Sequence, residues 1–247
     1  MDKIVFEELV NNKLITDVAF ASSCLENEEN LNNLSFDDIA DIVSTKEVYQ
    51  YNIPDFSLGG SFVLTNDLII VSPIIITKDT EIDLNGYNIT NSVYFVDTDD
   101  TTNCYVFWVK SGKLTLKGSG RVSSLAGSMY DMVIWANGGD VDIYGGKCIS
   151  NGMTNKGSDC IYSSNGSHVN IYGGEFECLN VSDSFAVPQY AILNEKGNAN
   201  GTIEVFGGIF HKFNPSDNVS ENPKKDFCAE GYKTIEVSKD LYQVVKA

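Results

Sequence analysis

The 247-residue chain has an ordinary hydrophobic content of 43%, enough to bury a sizeable core, but carries 34 acidic against 17 basic residues, a formal net charge of −17. Neutralising phosphates needs a basic surface, so this balance argues against nucleic acid and against a polyanionic membrane surface as partners. The longest apolar run, Leu68 to Thr77, is interrupted by Ser72 and Pro73 and falls short of the roughly 20 residues of a membrane span, so no membrane insertion is expected.

Residues 1–57 predict a small helical module. The opening "MDKIVFEELVNNKLI" mixes acids with apolar residues and has no small-residue cleavage site, unlike a signal peptide. Ile4, Phe6, Leu9 and Leu14 are among its apolar residues. Further on, Ser35 suits an N-cap, Asp37 and Asp38 sit in the first turn where the helix dipole favours them, and Phe36, Ile39, Ile42 and Val43 share a face. Neither segment is long enough to be stable alone, so the module must dock, as a cap or as an anchor.

Residues 58–215 carry a repeat. "VDIYGG" at 141–146 returns as "VNIYGG" at 169–174 and as "IEVFGG" at 203–208, with weaker relatives "LTLKGSG" at 114–120 and "IDLNGY" at 82–87. Apolar–polar alternation predicts strands, and Gly-Gly a sharp turn. Counted from the first apolar residue (Ile82, Leu114, Val141, Val169, Ile203), the steps are 32, 27, 28 and 34 residues, the period of a solenoid. The chain therefore predicts an all-β fold, a right-handed single-stranded parallel β-helix of about five coils, in which equivalent residues stack about 4.8 Å apart.

A second strand precedes each phrase: "CYVFWV", "DMVIWA", "DCIYSS" and "YAILNE". Aligned back from the phrases, Val106, Val133, Ile161 and Ile192 form one row, read as pointing inward. Phe107, Ile134, Tyr162 and Leu193 form the next, read as pointing outward. An outward apolar row needs a cover, either a sister chain or a loop folded back over the strand.

Chemistry-bearing residues are sparse. Asp131 and Asp159 are read as occupying one repeat position on adjacent coils, close to the spacing of a glycosidase acid pair, although starting a strand after a loop is their simpler role. Trp108 and Trp135 share a position, as do Tyr144, Tyr172 and Phe206. Such rings either stabilise a solenoid face or contact sugars. Asp97, Asp99 and Asp100 lie in an acidic loop without the glycine and distal Glu of an EF-hand. The six cysteines lack CxxC spacing and the two histidines lie in no ligand pattern, so no metal and no cofactor are expected, and the thiols read as reduced, small apolar residues. Residues 216–247 end in "YKTIEV" and "LYQVVK", read as a closing hairpin that caps the solenoid.

The "VxIYGGxF" coils followed by the terminal "CAEGYKTIEV" resemble the right-handed β-helix fibre and spike proteins of tailed phages. The closest likeness is to head-fibre proteins of the crAss-like phages of gut Bacteroidales, whose opening segment the "MDKIVFEELVNNKLIT" start also resembles. The likeness spans most of the chain but rests on architectural motifs. It implies a non-enzymatic homotrimeric virion protein, made in the bacterial cytoplasm. Ile4, Phe6, Leu9 and Leu14 would lie in the segment held by capsid proteins, and Phe107, Ile134, Tyr162 and Leu193 at the trimer contact. Trp108, Trp135, Tyr144 and Tyr172 would be available to surface glycans. The alternative is a tail-spike polysaccharide depolymerase using Asp131 and Asp159.

Overall fold

Val141, Val169 and Ile203 pair in register on three successive strands, and all three are buried. The computed structural model describes residues 53–97, 100–152, 157–179, 192–195, 200–218 and 226–247. The expected helical module, including Ile4, Phe6, Leu9 and Leu14, lies outside these, apart from its last few residues. Of those, Phe56–Leu58 form a single 3-10 turn capped by Asp55.

The remainder is nearly all strand, in three sheets that the chain visits in rotation. The first sheet stacks Gly60–Val63, Thr80–Asp83, Lys113–Lys117, Asp140–Ile143, His168–Ile171 and Thr202–Val205, all parallel. The second stacks Leu68–Ile70, Asn88–Asn91, Arg121–Ser124, Lys147–Ser150, Glu175–Cys178 and Ile209–His211, also parallel. The third stacks Ile74–Ile76, Thr102–Val109, Tyr130–Asn137, Gly157–Ser164 and Leu193–Glu195. Each return to a sheet lies beside the previous visit, a path compatible with a parallel β-helix.

The repeated phrase explains its own turn. Gly173 has no room for a side chain: a Cβ there would lie 2.7 Å from the Tyr144 carbonyl oxygen of the preceding rung. Gly174 adopts φ +103, a conformation that L side chains rarely take. One glycine permits close stacking and the other permits the corner.

Like residues meet like inside. Ile82, Leu116, Ile143, Ile171 and Val205 form one column of the first sheet, and all are fully buried. In the second sheet, Phe176 and Phe210 stack at 4.9 Å with their planes 10° apart. The upstream phrase sits two residues from its expected register: Thr80, not Ile82, lies opposite Leu114. Because the shift is even, Ile82 keeps its inward face.

The third sheet departs from the expected register by one residue. Phe107, Ile134, Ile161 and Leu193 share a column, and Tyr162 pairs with Trp135. From Ile134 to Ile161 is one residue fewer than from Val141 to Val169, and the difference sits in the turn between the sheets. "Asn137-Gly138-Gly139" becomes "Ser164-Asn165-Gly166-Ser167", with Asn165 at φ 54 and Gly166 at φ 78. Counting back from the phrase without a gap therefore misplaces the whole strand.

The expected facing is also corrected. Phe107, Ile134 and Leu193 are fully buried within the single chain. Strand pairing is interrupted at Val106 and Val133, and residues on both sides are buried. Tyr105 and Trp108, three residues apart, nevertheless pack ring to ring at 6.2 Å, so strict alternation is broken between them.

At the far end, Tyr232–Ser238 and Leu241–Lys246 form the expected antiparallel hairpin, which continues the second sheet beyond Ile209–His211. No helix among the described residues is long and apolar enough to cross a membrane.

Candidate functional site

Two aromatic surfaces stand on the outside of the sheets. On the third sheet, Ile75, Trp108, Trp135 and Tyr162 follow one another in register; Trp108 and Trp135 lie one residue beyond Phe107 and Ile134, whereas Tyr162 belongs to the row expected to face outward. Trp108 and Trp135 stack at 4.9 Å with planes 7° apart, and the Lys110 ammonium lies 3.8 Å from the Trp108 ring centre. The Trp135 indole donates to Ser164 Oγ at 3.0 Å, whereas the buried Trp108 Nε1 has no hydrogen-bond partner among the described residues.

Part of the cover for this face is local. Phe95–Val96 pairs antiparallel with Thr102 and Asn103, bringing Phe95 edge-on to Tyr105 at 5.3 Å. Tyr105, Met132 and Tyr162 form a small cluster against which Phe95, Tyr130 and Trp135 pack. Ile75 remains 41% exposed at the end of the row.

The second surface is the ladder Tyr144–Tyr172–Phe206 on the first sheet, with ring centres 4.7 and 4.9 Å apart. Tyr232 closes it edge-on at 5.4 Å from Phe206. Tyr144 and Tyr172 are exposed, but their facing surfaces are covered by each other. The ladder therefore shows water mainly its ring edges and hydroxyls rather than open faces for sugar stacking. Beside it, Asp142 accepts from Lys113 Nζ at 2.7 Å and from Asn170 Nδ2 at 2.9 Å. Slight burial, then the negative charge of Asp142, push the Tyr172 phenol above its ordinary value.

The structure separates the two candidate acids. Asp131 pairs with Ser158, and Asp159 with Met132, so they are one residue out of register. Asp131 is fully buried and accepts from the backbone N–H groups of Gly127 at 3.1 Å and Ser128 at 3.0 Å, and from the Ser128 hydroxyl. Burial pushes its carboxyl above the ordinary value against the pull of these hydrogen bonds. It braces the turn before its strand, the simpler role open to it from the sequence. Asp159 is also buried. In the acidic loop, the Asp100 N–H donates to the Asp97 carbonyl at 3.0 Å, while Asp99 lies outside the described residues.

Sequence reasoning missed a charged cluster on the second sheet. Lys147 Nζ bridges Glu175 Oε1 and Glu177 Oε2, both at 2.9 Å, and His211 Nε2 meets Glu175 Oε1 at 2.7 Å. The Glu175, Glu177 and His211 ligand atoms lie within 4.8 Å of one another, but the Lys147 ammonium already bridges the two carboxylates. Glu175 and Glu177 sit two apart on one strand, with Lys147 and His211 on the neighbouring rungs. That placement is invisible until the register of the second sheet is known.

Comparison with protein-family models, with curated proteins and with solved structures finds no match for this chain.

Proposed function

We propose that the protein is a non-enzymatic structural fibre: a right-handed single-stranded β-helix of about five coils that assembles as a homotrimeric virion protein of a tailed phage. On this reading it is a head fibre, held by capsid proteins through residues 1–57 and closed by its terminal hairpin. The observation that carries the structural part is the unbroken stacking of like residues along the first sheet, from Ile82 to Val205. A chain organised around such columns is built for length and rigidity. Its carboxylates support the same reading: Asp131 is spent on a turn, and Glu175 and Glu177 are spent on Lys147. The virion assignment rests on the resemblance of the repeated coils and of the two ends.

The surface proposed for the sister chains is the row Ile75, Trp108 and Trp135. It is apolar and outward, and its Trp108 N–H has no acceptor among the described residues. Light scattering on the full chain tests this. A trimer is expected, and Trp135→Asp should dissociate it while leaving the strand content intact. A monomer at micromolar concentration overturns the trimer.

A second reading, adhesion to surface glycans, has the exposed hydroxyl rim of Tyr144 and Tyr172 in its favour. The neighbouring acids would select uncharged glycans over uronic-acid chains. A glycan array read with the unaltered chain and with Tyr172→Ala decides it: loss of uncharged-glycan signal supports adhesion, and no signal in either protein removes it.

A further inference from the structure

Four described cysteines, Cys104, Cys148, Cys160 and Cys178, are buried as free thiols, and Cys160 and Cys178 approach one hydroxyl, Ser150 Oγ. Cys160 lies in the third-sheet strand Gly157–Ser164, and Cys178 ends the second-sheet strand Glu175–Cys178. Between them the chain makes most of one turn, through His168–Ile171 of the first sheet. Their contacts interlock. Cys160 Sγ lies 3.4 Å from the carbonyl of Glu177, the residue before Cys178, and Cys178 Sγ lies 3.2 Å from the carbonyl of Ser158, two before Cys160. Ser150 Oγ sits between the thiols, 2.9 Å from Cys178 Sγ and 4.0 Å from Cys160 Sγ.

We propose that Cys160 and Cys178 are an oxidisable pair that closes into a disulfide on exposure to a small-molecule disulfide, stapling the start of one turn to its end. The chemistry balances in two exchanges. The Cys178 thiol loses its proton and its thiolate attacks the small disulfide, forming a mixed disulfide and expelling one small thiolate, which takes up a proton. The Cys160 thiolate, formed by loss of its own proton, then attacks the Cys178 sulfur and expels the second small thiolate. Two protein thiols are oxidised, one small disulfide is reduced to two thiols, and two protons pass to the leaving groups.

The roles follow from position. Cys178 is the more accessible, 6% exposed and followed by the exposed Leu179, whereas Cys160 is fully buried. Burial raises both thiols. For Cys178, hydrogen bonds with Cys160, Ser150 and Ser158 more than offset it and hold the thiol below its ordinary value, whereas Cys160 stays well above. Cys178 is therefore the attacking thiol and Cys160 the resolving one. Cys104 and Cys148 are each pushed up to about 12 by burial and remain bystanders.

The test uses the full chain, reduced, freed of reductant and treated with oxidised glutathione under native conditions. Peptide mapping should recover a Cys160–Cys178 linked peptide lighter by two hydrogens. Titratable thiols should fall by two, and the unfolding midpoint should rise by several degrees and return with dithiothreitol. Cys178→Ala should keep the remaining thiols free and abolish the shift. Cys160→Ala should trap glutathione on Cys178, adding its mass. Should either variant fail to fold, the map of the unaltered chain alone decides. Recovery of the two peptides unlinked, or linked only after denaturation, overturns the proposal.

Discussion

Ile134 lies opposite Ile161, and the next residue, Trp135, lies opposite Tyr162. That single offset decides which side chains build the core of the third sheet and which stand outside it. Replacing Ile134 by Ala removes a fully buried side chain from a continuous column and should cost about 2–5 kcal/mol of unfolding free energy. Trp135→Ala should cost less in the folding of the single chain and act on self-association. Urea denaturation alongside light scattering checks both. A larger folding loss at Trp135 than at Ile134 would contradict the assignment of faces.

Two glycines, Gly166 in the turn before the repeated phrase and Gly173 within the phrase, should fail for different reasons. At Gly166 a Cβ meets nothing within 4 Å, so Gly166→Ala pays only for φ +78, about 1 kcal/mol. Gly173→Ala must push a methyl group against the Tyr144 carbonyl of the rung before it. It should destabilise more strongly than Gly166→Ala, and equal losses in thermal unfolding would refute the close-stacking explanation.

The outer ladder should contribute to stability whether or not it binds anything. Tyr172 stacks on both Tyr144 and Phe206, so Tyr172→Ala breaks two contacts and should cost about 1–3 kcal/mol. Phe206→Ala removes one of these stacks and the edge contact to Tyr232. Denaturation of the two variants and of the pair together measures their coupling, which should be non-additive.

Acid should act on two carboxylates in opposite directions. Burial holds the Asp131 carboxyl above its unfolded value, so folding takes up a proton there. The unaltered chain should gain stability relative to Asp131→Asn as pH falls from neutrality through that raised value. At Glu175, burial raises the carboxyl, but the Lys147 and His211 contacts more than offset it and the net direction is down. Its contribution is present above the ordinary carboxylate value and is lost as pH falls through the lower folded value. Urea titrations against pH for Asp131→Asn and Glu175→Gln should therefore diverge with opposite slopes, the Glu175 effect being small because the group is partly exposed.

The strands and their stacking were legible because they rest on local pattern. Val141, Val169 and Ile203 alternate with polar residues and precede Gly-Gly, and nothing distant is needed to place them. The facing of Phe107 and Ile134 is not legible, because pairing is interrupted at Val106 and Val133 and alternation is broken there, with Tyr105 and Trp108 packed together. Tyr162 was misplaced by one extra residue in the Asn165–Gly166 turn, a length change that leaves no mark on the strand itself. The Asp131–Asp159 pairing failed with the same offset. The Lys147, Glu175 and His211 cluster, and the approach of Cys160 and Cys178 to Ser150, depend on which rungs and sheets become neighbours, and spacing along the chain carries no such information.

The central claim is that equivalent residues of successive repeats lie on adjacent rungs. Paired cysteines on the exposed ladder read this directly. Tyr144→Cys with Tyr172→Cys places two thiols one rung apart, about 4.8 Å along the axis and within the span of a disulfide. Tyr144→Cys with Phe206→Cys places them two rungs apart and out of reach. Rapid oxidative crosslinking of the first pair and none of the second is the expected result. Crosslinking of the second pair at the rate of the first, or failure of the first in folded protein, would contradict the stacked architecture.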